Sequence, residues 1–233
     1  MSPINQTIAN VSSKEYGLLE YSVSSTPVQS GLVLYWDFAP GKSYTGSGTS
    51  VSDLSGNGNN GTINGSGTYS SSTYGGTYLL VTGGNTINTS SPNLSSSNYT
   101  VMGSTKLTGS ANNRVISSQN NNWLLGNWGG YINQYYAEGW VNGAGSSGGL
   151  DTNWHIWTGT GRGTYTFYNN NSLITSNSSG SQGPNGFAIN QYVGNTYAES
   201  SNAYFGFLLV YNRVLTTDEM TYNYNIFKAR YGL

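Results

Sequence analysis

From Gly31 onward apolar residues arrive in short runs, at 31–38, 61–64, 76–82, 99–108, 113–118, 123–127, 131–142, 153–159, 163–169, 172–176, 186–193 and 203–213, separated by clusters of Gly, Asn and Ser. Short β-rich runs at this spacing, broken by turn formers, predict an all-β sandwich. The run 204–211 is apolar nearly throughout, which predicts a central strand covered on both faces, whereas alternation within 164–168 is imperfect. Segments 41–50, 143–149 and 177–186 consist mostly of Gly, Ser, Asn and Pro and are expected as loops at the ends of the sandwich. Neither an internal repeat nor a boundary between two folded domains is visible.

Helical periodicity emerges at the C-terminus. Thr216 is placed as N-cap with Glu219 at N3, a reciprocal capping box, and Leu215 faces Met220 as a hydrophobic staple. Met220, Tyr224, Phe227 and Tyr231 then form one apolar stripe directed at the sandwich, and Gly232 marks the stop. Residues 1–30 show no sustained period and read as an extended N-terminal arm that docks on a particle or subunit. Its apolar anchors would be Ile4, Tyr16, Leu18, Leu19 and Tyr21.

Composition narrows the class. The 233 residues fit one all-β domain, and the lack of cysteine removes disulfides and thiolate metal sites. Eight Lys and Arg against nine Asp and Glu provide no basic field for nucleic acid, and no apolar run is long enough to insert in a membrane. The first thirty residues lack a basic start and apolar core, so export by a signal peptide is not expected. Only 7% of residues are charged while 14% are aromatic, which argues for a packed core beneath a surface solvated by amides and hydroxyls.

Four segments carry a family resemblance. Gly31-Leu-Val-Leu-Tyr-Trp-Asp37-Phe with the Asp53 to Ile63 turn, Asn153-Trp154-His155-Ile156-Trp157-Thr158, the hairpin from Tyr165 through Asn169-Asn170-Asn171 to Ile174, and Phe205-Gly206-Phe207 to Tyr211-Asn212-Arg213-Val214-Leu215-Thr216 follow in order. Together they resemble laminin-G-like domains of the concanavalin A-like lectin/glucanase fold, over about 31–233, with Asn171 where glycine is usual. The whole is similar to such domains in structural proteins of tailed bacteriophages. The resemblance implies a jelly-roll sandwich of two antiparallel sheets with an N-terminal arm and one short C-terminal helix. It further implies a non-enzymatic virion protein made in the host cytoplasm, oligomeric in the particle, and contacting capsid or tail subunits as a head decoration or fibre. The alternative is an adhesin or receptor-binding tail protein that recognises cell-surface glycan.

Candidate chemistry was weighed residue by residue. Glycoside hydrolysis needs two carboxylates roughly 5–10 Å apart, and Asp37, Asp53, Glu138, Asp151, Glu199, Asp218 and Glu219 include no closely spaced cluster on one strand. His155, the single histidine, is expected to hydrogen-bond structurally. The resemblance raises calcium, for which Asp53 with Asn57 or Asn59 could supply oxygens. The competing reading is an Asx turn in which Asp53 caps the amides of Ser55 and Gly56, and the scarcity of neighbouring acids favours it. For glycan, the stretch 120–136 combines aromatics and amides, with Trp123, Asn127, Trp128, Tyr131 and Tyr135 as candidates. Any one of these aromatics could equally be packing the core.

Overall fold

The computed structural model describes residues 26–71, 73–80, 84–143, 148–193 and 198–233. Its strands are β1 (Leu32–Asp37), β2 (Ser50–Val51), β3 (Gly61–Gly65), β4 (Thr68–Ser70), β5 (Thr77–Leu80), β6 (Asn85–Asn93), β7 (Tyr99–Leu107) and β8 (Ile116–Ser117). There follow β9 (Trp123–Trp128), β10 (Tyr131–Ala137), β11 (Trp140–Asn142), β12 (His155–Gly161), β13 (Tyr165–Asn169), β14 (Ser172–Asn177), β15 (Asn185–Ile189) and β16 (Ala203–Tyr211). The helix α1 (Thr217–Phe227) runs into a 3-10 turn at Lys228–Tyr231.

The strands form two antiparallel sheets. One has the order β14-β13-β12-β7-β16-β5-β4 with β1 also paired to β16, and the other β11-β10-β9-β8-β15-β6-β3-β2. Between them lies the main core, in which Trp36, Trp123, Trp157, Phe167, Phe187 and Phe205 are fully buried. This is the jelly-roll sandwich anticipated from the sequence.

A second core forms on the outer face of the first sheet, where Tyr35, Met102, Ile156, Phe207 and Leu209 meet Met220, Phe227 and Tyr231 of the C-terminal segment. That third layer explains the nearly unbroken apolar run of β16, whose side chains are buried on both faces. β16 gives one edge to β7 and divides the other between β5 and β1, and the ladder to β7 shifts register around Gly206. A Cβ at Gly206 would stand 2.1 Å from the Tyr231 hydroxyl and 2.4 Å from Ser104 Oγ, so glycine is required there.

The predicted caps are in place. Thr216 Oγ1 accepts from the Glu219 amide, Glu219 reaches back to the Thr216 amide, and Gly232 ends the 3-10 turn in the left-handed conformation. Arg213 grips Glu219 with a two-pronged contact at 2.7 and 2.8 Å, holding the carboxyl at about 2, well below the usual range. Asn170 and Asn171, with φ of 47° and 64°, make the two-residue turn between β13 and β14, so asparagine fills the glycine position as expected.

Residues 26–30 lie against their own domain. The Val28 amide donates to Asn223 Oδ1, the Tyr211 hydroxyl donates to the Val28 carbonyl, and Arg213 Nε donates to the Ser30 carbonyl. The proposed anchors Ile4, Tyr16, Leu18, Leu19 and Tyr21 lie outside the described residues.

Two other expectations need revision. β6, flanked by β15 and β3, was not foreseen, because Ile87 alone is strongly apolar among Asn, Thr and Ser. Nor is the segment around Tyr44 a plain surface loop: the ring is buried against Phe38, Tyr69 and Tyr78. Among the described residues no helix is long and apolar enough to cross a membrane.

Candidate functional site

Period-two alternation sorts the aromatics of 123–140 between two environments. Trp123 and Leu125 of β9 and Tyr135 and Ala137 of β10 face inward. Leu124, Tyr136 and Trp140 stand opposite one another across β9, β10 and β11, on the outer face of the second sheet. Trp128, at the end of β9, joins this outer group: its ring centre lies 5.2 Å from that of Trp140, and the Tyr136 ring centre lies 5.1 Å from that of Trp140.

A concavity of about 250 Å³ opens here, closed on its far side by Arg114, Asn122, Tyr192 and Glu199. Arg114 is almost fully buried and donates from Nε and Nη2 to Glu199 Oε2, at 2.9 and 2.5 Å. Its Nη1 donates to Asn122 Oδ1, and its guanidinium covers the Tyr192 ring at 4.6 Å. Burial draws the arginine below its ordinary pKa while Glu199 pulls it back up. Trp128 Nε1 also donates to Glu199 Oε2, at 2.7 Å, so one carboxylate oxygen takes three donors.

Glu199 has a backbone φ of 60°, in the left-handed region that glutamate seldom visits. The Arg114 amide holds it there by donating to the Glu199 carbonyl. Across the concavity, Glu199 Oε1, Asn122 Nδ2, Trp140 Nε1 and the hydroxyls of Tyr136 and Tyr192 make no hydrogen bond among the described residues. The surface therefore pairs flat aromatic faces with unused donors and acceptors.

The five glycan candidates separate accordingly. Trp128 lines the concavity, and Tyr131 is half-buried at the neighbouring hairpin turn. Trp123, Tyr135 and Asn127 are inside the sandwich, where the packing alternative applies. Trp123 Nε1 donates to the Tyr99 hydroxyl, which is 2.7 Å from that of Tyr135, and Tyr135 in turn donates to the Thr160 carbonyl. Burial pushes both phenols upward and keeps them protonated. Asn127 Oδ1 accepts from Thr105 Oγ1, which itself accepts from Trp157 Nε1.

Asp53 builds a turn. Its Oδ1 accepts from the amides of Tyr35 and Ser55, and its Oδ2 from Ser55 Oγ and the Asn59 amide; Asn59 and Tyr35 thus take the place expected for Gly56. Asn57 and Asn59 turn their Nδ2 groups to the carbonyls of Leu32 and Val33, so they act as donors here. This loop lies along β1 and satisfies backbone groups that its edge would otherwise expose. His155 stacks on Trp157 at 4.5 Å, with Nδ1 2.9 Å from Asn169 Oδ1 and Nε2 3.2 Å from Asp151. No group of three or more His, Cys, Asp or Glu side chains gathers as a metal site among the described residues.

In sequence the chain matches no protein-family model and no curated protein. In structure it has well-matched neighbours. Domain 4 of AbnA, an extracellular arabinanase of Geobacillus stearothermophilus solved with arabinotriose, superposes with a TM-score of 0.61 at 19% identity, over 84% of this chain and 98% of that one. The binding domain of Paraclostridial Mosquitocidal Protein 1 matches with a TM-score of 0.59 at 17% identity over 83% of this chain, and that of botulinum neurotoxin DC, solved with SialylT, with 0.57 at 11% over 84%. This chain spans 52% of the length of each of those two. The fold is shared.

Sequence reasoning missed Arg114, Trp140, Tyr192 and Glu199. For the outer face a signal existed at Tyr136, because consecutive Tyr135 and Tyr136 on a strand must face opposite ways and so commit one aromatic to the outside. Arg114 and Glu199 are 85 positions apart and carry no local signal.

Proposed function

We propose that the protein is a non-catalytic glycan-binding module. The observation that carries this reading is the concavity on the second sheet, where half-buried Trp128, Tyr136, Trp140 and Tyr192 surround a carboxylate fixed by a buried arginine. The carbon-bound hydrogens of a pyranose ring form an apolar face that packs on such rings, while its hydroxyls need the donors and acceptors at their margin. At about 250 Å³ the space is smaller than the roughly 300–1,000 Å³ of pockets that enclose a drug-sized ligand, which fits one terminal sugar rather than a long chain. Structural neighbours that were solved with arabinotriose and with SialylT are consistent with the reading. For a non-catalytic role the support is that no second carboxylate among the described residues lines the concavity opposite Glu199.

The setting we assign, a tailed-phage particle on which the domain is a head decoration, a fibre or a receptor-binding tail protein, rests on the sequence resemblance over 31–233 and on the polar stretch before it. Micrographs of particles with and without this protein test the setting. The binding function is tested by probing a glycan array with the full chain and with Trp140→Ala. Binding by the full chain that is lost in the variant is expected, along with no release of new reducing ends. Absence of binding to every glycan, or binding unaffected by Trp140→Ala, would contradict it.

A further inference from the structure

Deepening the glycan-binding reading, on which it rests, we infer that the concavity selects an uncharged sugar terminus and rejects acidic ones such as uronic and sialic acids. Arg114 contributes its positive charge almost entirely out of reach, with 3% of its side chain exposed, and three of its five N–H donors are committed to Glu199 and Asn122. Glu199 is 35% exposed. Its Oε2 is occupied by three donors, so Oε1 is the acceptor offered to a ligand.

An incoming anion therefore meets the Glu199 carboxylate, with no exposed cation among the described lining residues to receive it, and like charges in a partly desolvated site repel strongly. A neutral sugar instead donates a hydroxyl to Oε1 and packs its ring on the aromatic wall of Trp128, Tyr136 and Trp140. The left-handed backbone at Glu199, held by the Arg114 amide, fixes the direction of that carboxylate.

The experiment titrates the full chain with two sets of arrayed oligosaccharides on identical stems, one ending in neutral hexoses and one in uronic or sialic acid, at low and high salt. Neutral ends are expected to bind at least tenfold more tightly. Raising the salt should narrow that ratio by relieving the repulsion of the acidic ends, a readout that requires no variant. Glu199→Gln should narrow it further, weakening neutral ends and strengthening acidic ones. Acidic ends binding as well as neutral ones, or a ratio indifferent to salt, would overturn the inference and leave the glycan-binding reading standing. Failure of both sets to bind would overturn both.

Discussion

The outer faces of the two sheets carry similar raw material and use it differently. On the first sheet Tyr35, Phe207, Leu209 and Tyr211 are sealed under α1 and its 3-10 extension, where Phe207 and Phe227 stack at 3.9 Å. On the second sheet no helix among the described residues covers Leu124, Tyr136 and Trp140, which with Trp128 form the wall of an open concavity. Each face also holds an arginine–carboxylate pair. Arg230 meets Asp37 deep under the helix turn, and Arg114 meets Glu199 at the lip of the concavity. An aromatic cluster and an ion pair thus stabilise the fold where they are covered, and line an open concavity where they are not.

The contrast can be broken most forcefully at Asp37. Its side chain is 2% exposed and accepts from both Arg230 Nη atoms, from the Tyr35 hydroxyl and from the Ala39 amide. Arg230→Ala leaves that carboxylate buried beside a phenol and should cost about 3–5 kcal/mol. Urea unfolding of the variant checks this.

Next in size is a matched pair of truncations. Phe227→Ala removes a fully covered ring and should cost about 3–5 kcal/mol. Trp140→Ala removes two ring contacts from the open face and should cost about 1–3 kcal/mol, at the rate of roughly 0.5–1.5 kcal/mol for each aromatic pair. Equal losses would show that the open cluster is core by another name.

Smaller effects probe the rim of the covered face. Thr216→Ala should lower stability by about 1 kcal/mol through loss of the N-cap, and unchanged melting would mean that the cap contributes nothing to docking α1. The smallest effect is on acid stability. Glu219 has its pKa lowered to about 2 from 4.5, chiefly by the Arg213 hydrogen bonds, so its contribution is complete above 4.5 and fades as pH falls toward 2. Solvent screens this pair, and the effect is modest. Glu219→Gln should therefore flatten the stability profile across that window, and a profile parallel to wild type would refute the assignment.

The covered face was more legible in the sequence than the open one. The capping box, the stripe of Met220, Phe227 and Tyr231, and the continuous apolar run of β16 are local patterns, and local patterns survive in a single sequence. β6 escaped because its strand character comes from pairing with β3 and β15, and Thr, Asn and Ser on a strand look the same as in a loop. In the site, composition identified the right stretch but not the right face. Trp123 and Trp128 look alike in sequence, and although their odd spacing on one strand sends them to opposite faces, nothing in the stretch itself says which face is inside. The ion pair at the lip joins two distant connections that only the fold brings together.

The central claim is that the open aromatic face binds glycan while the covered one holds the domain together. The most direct measurement is the melting midpoint of the full chain and of Trp140→Ala, each with and without a saturating glycan taken from the array. A ligand bound only by the folded state must raise the midpoint of wild type. The account predicts that Trp140→Ala still melts cooperatively, only slightly below wild type, and that glycan no longer shifts it. A variant stabilised by glycan as much as wild type would contradict the claim.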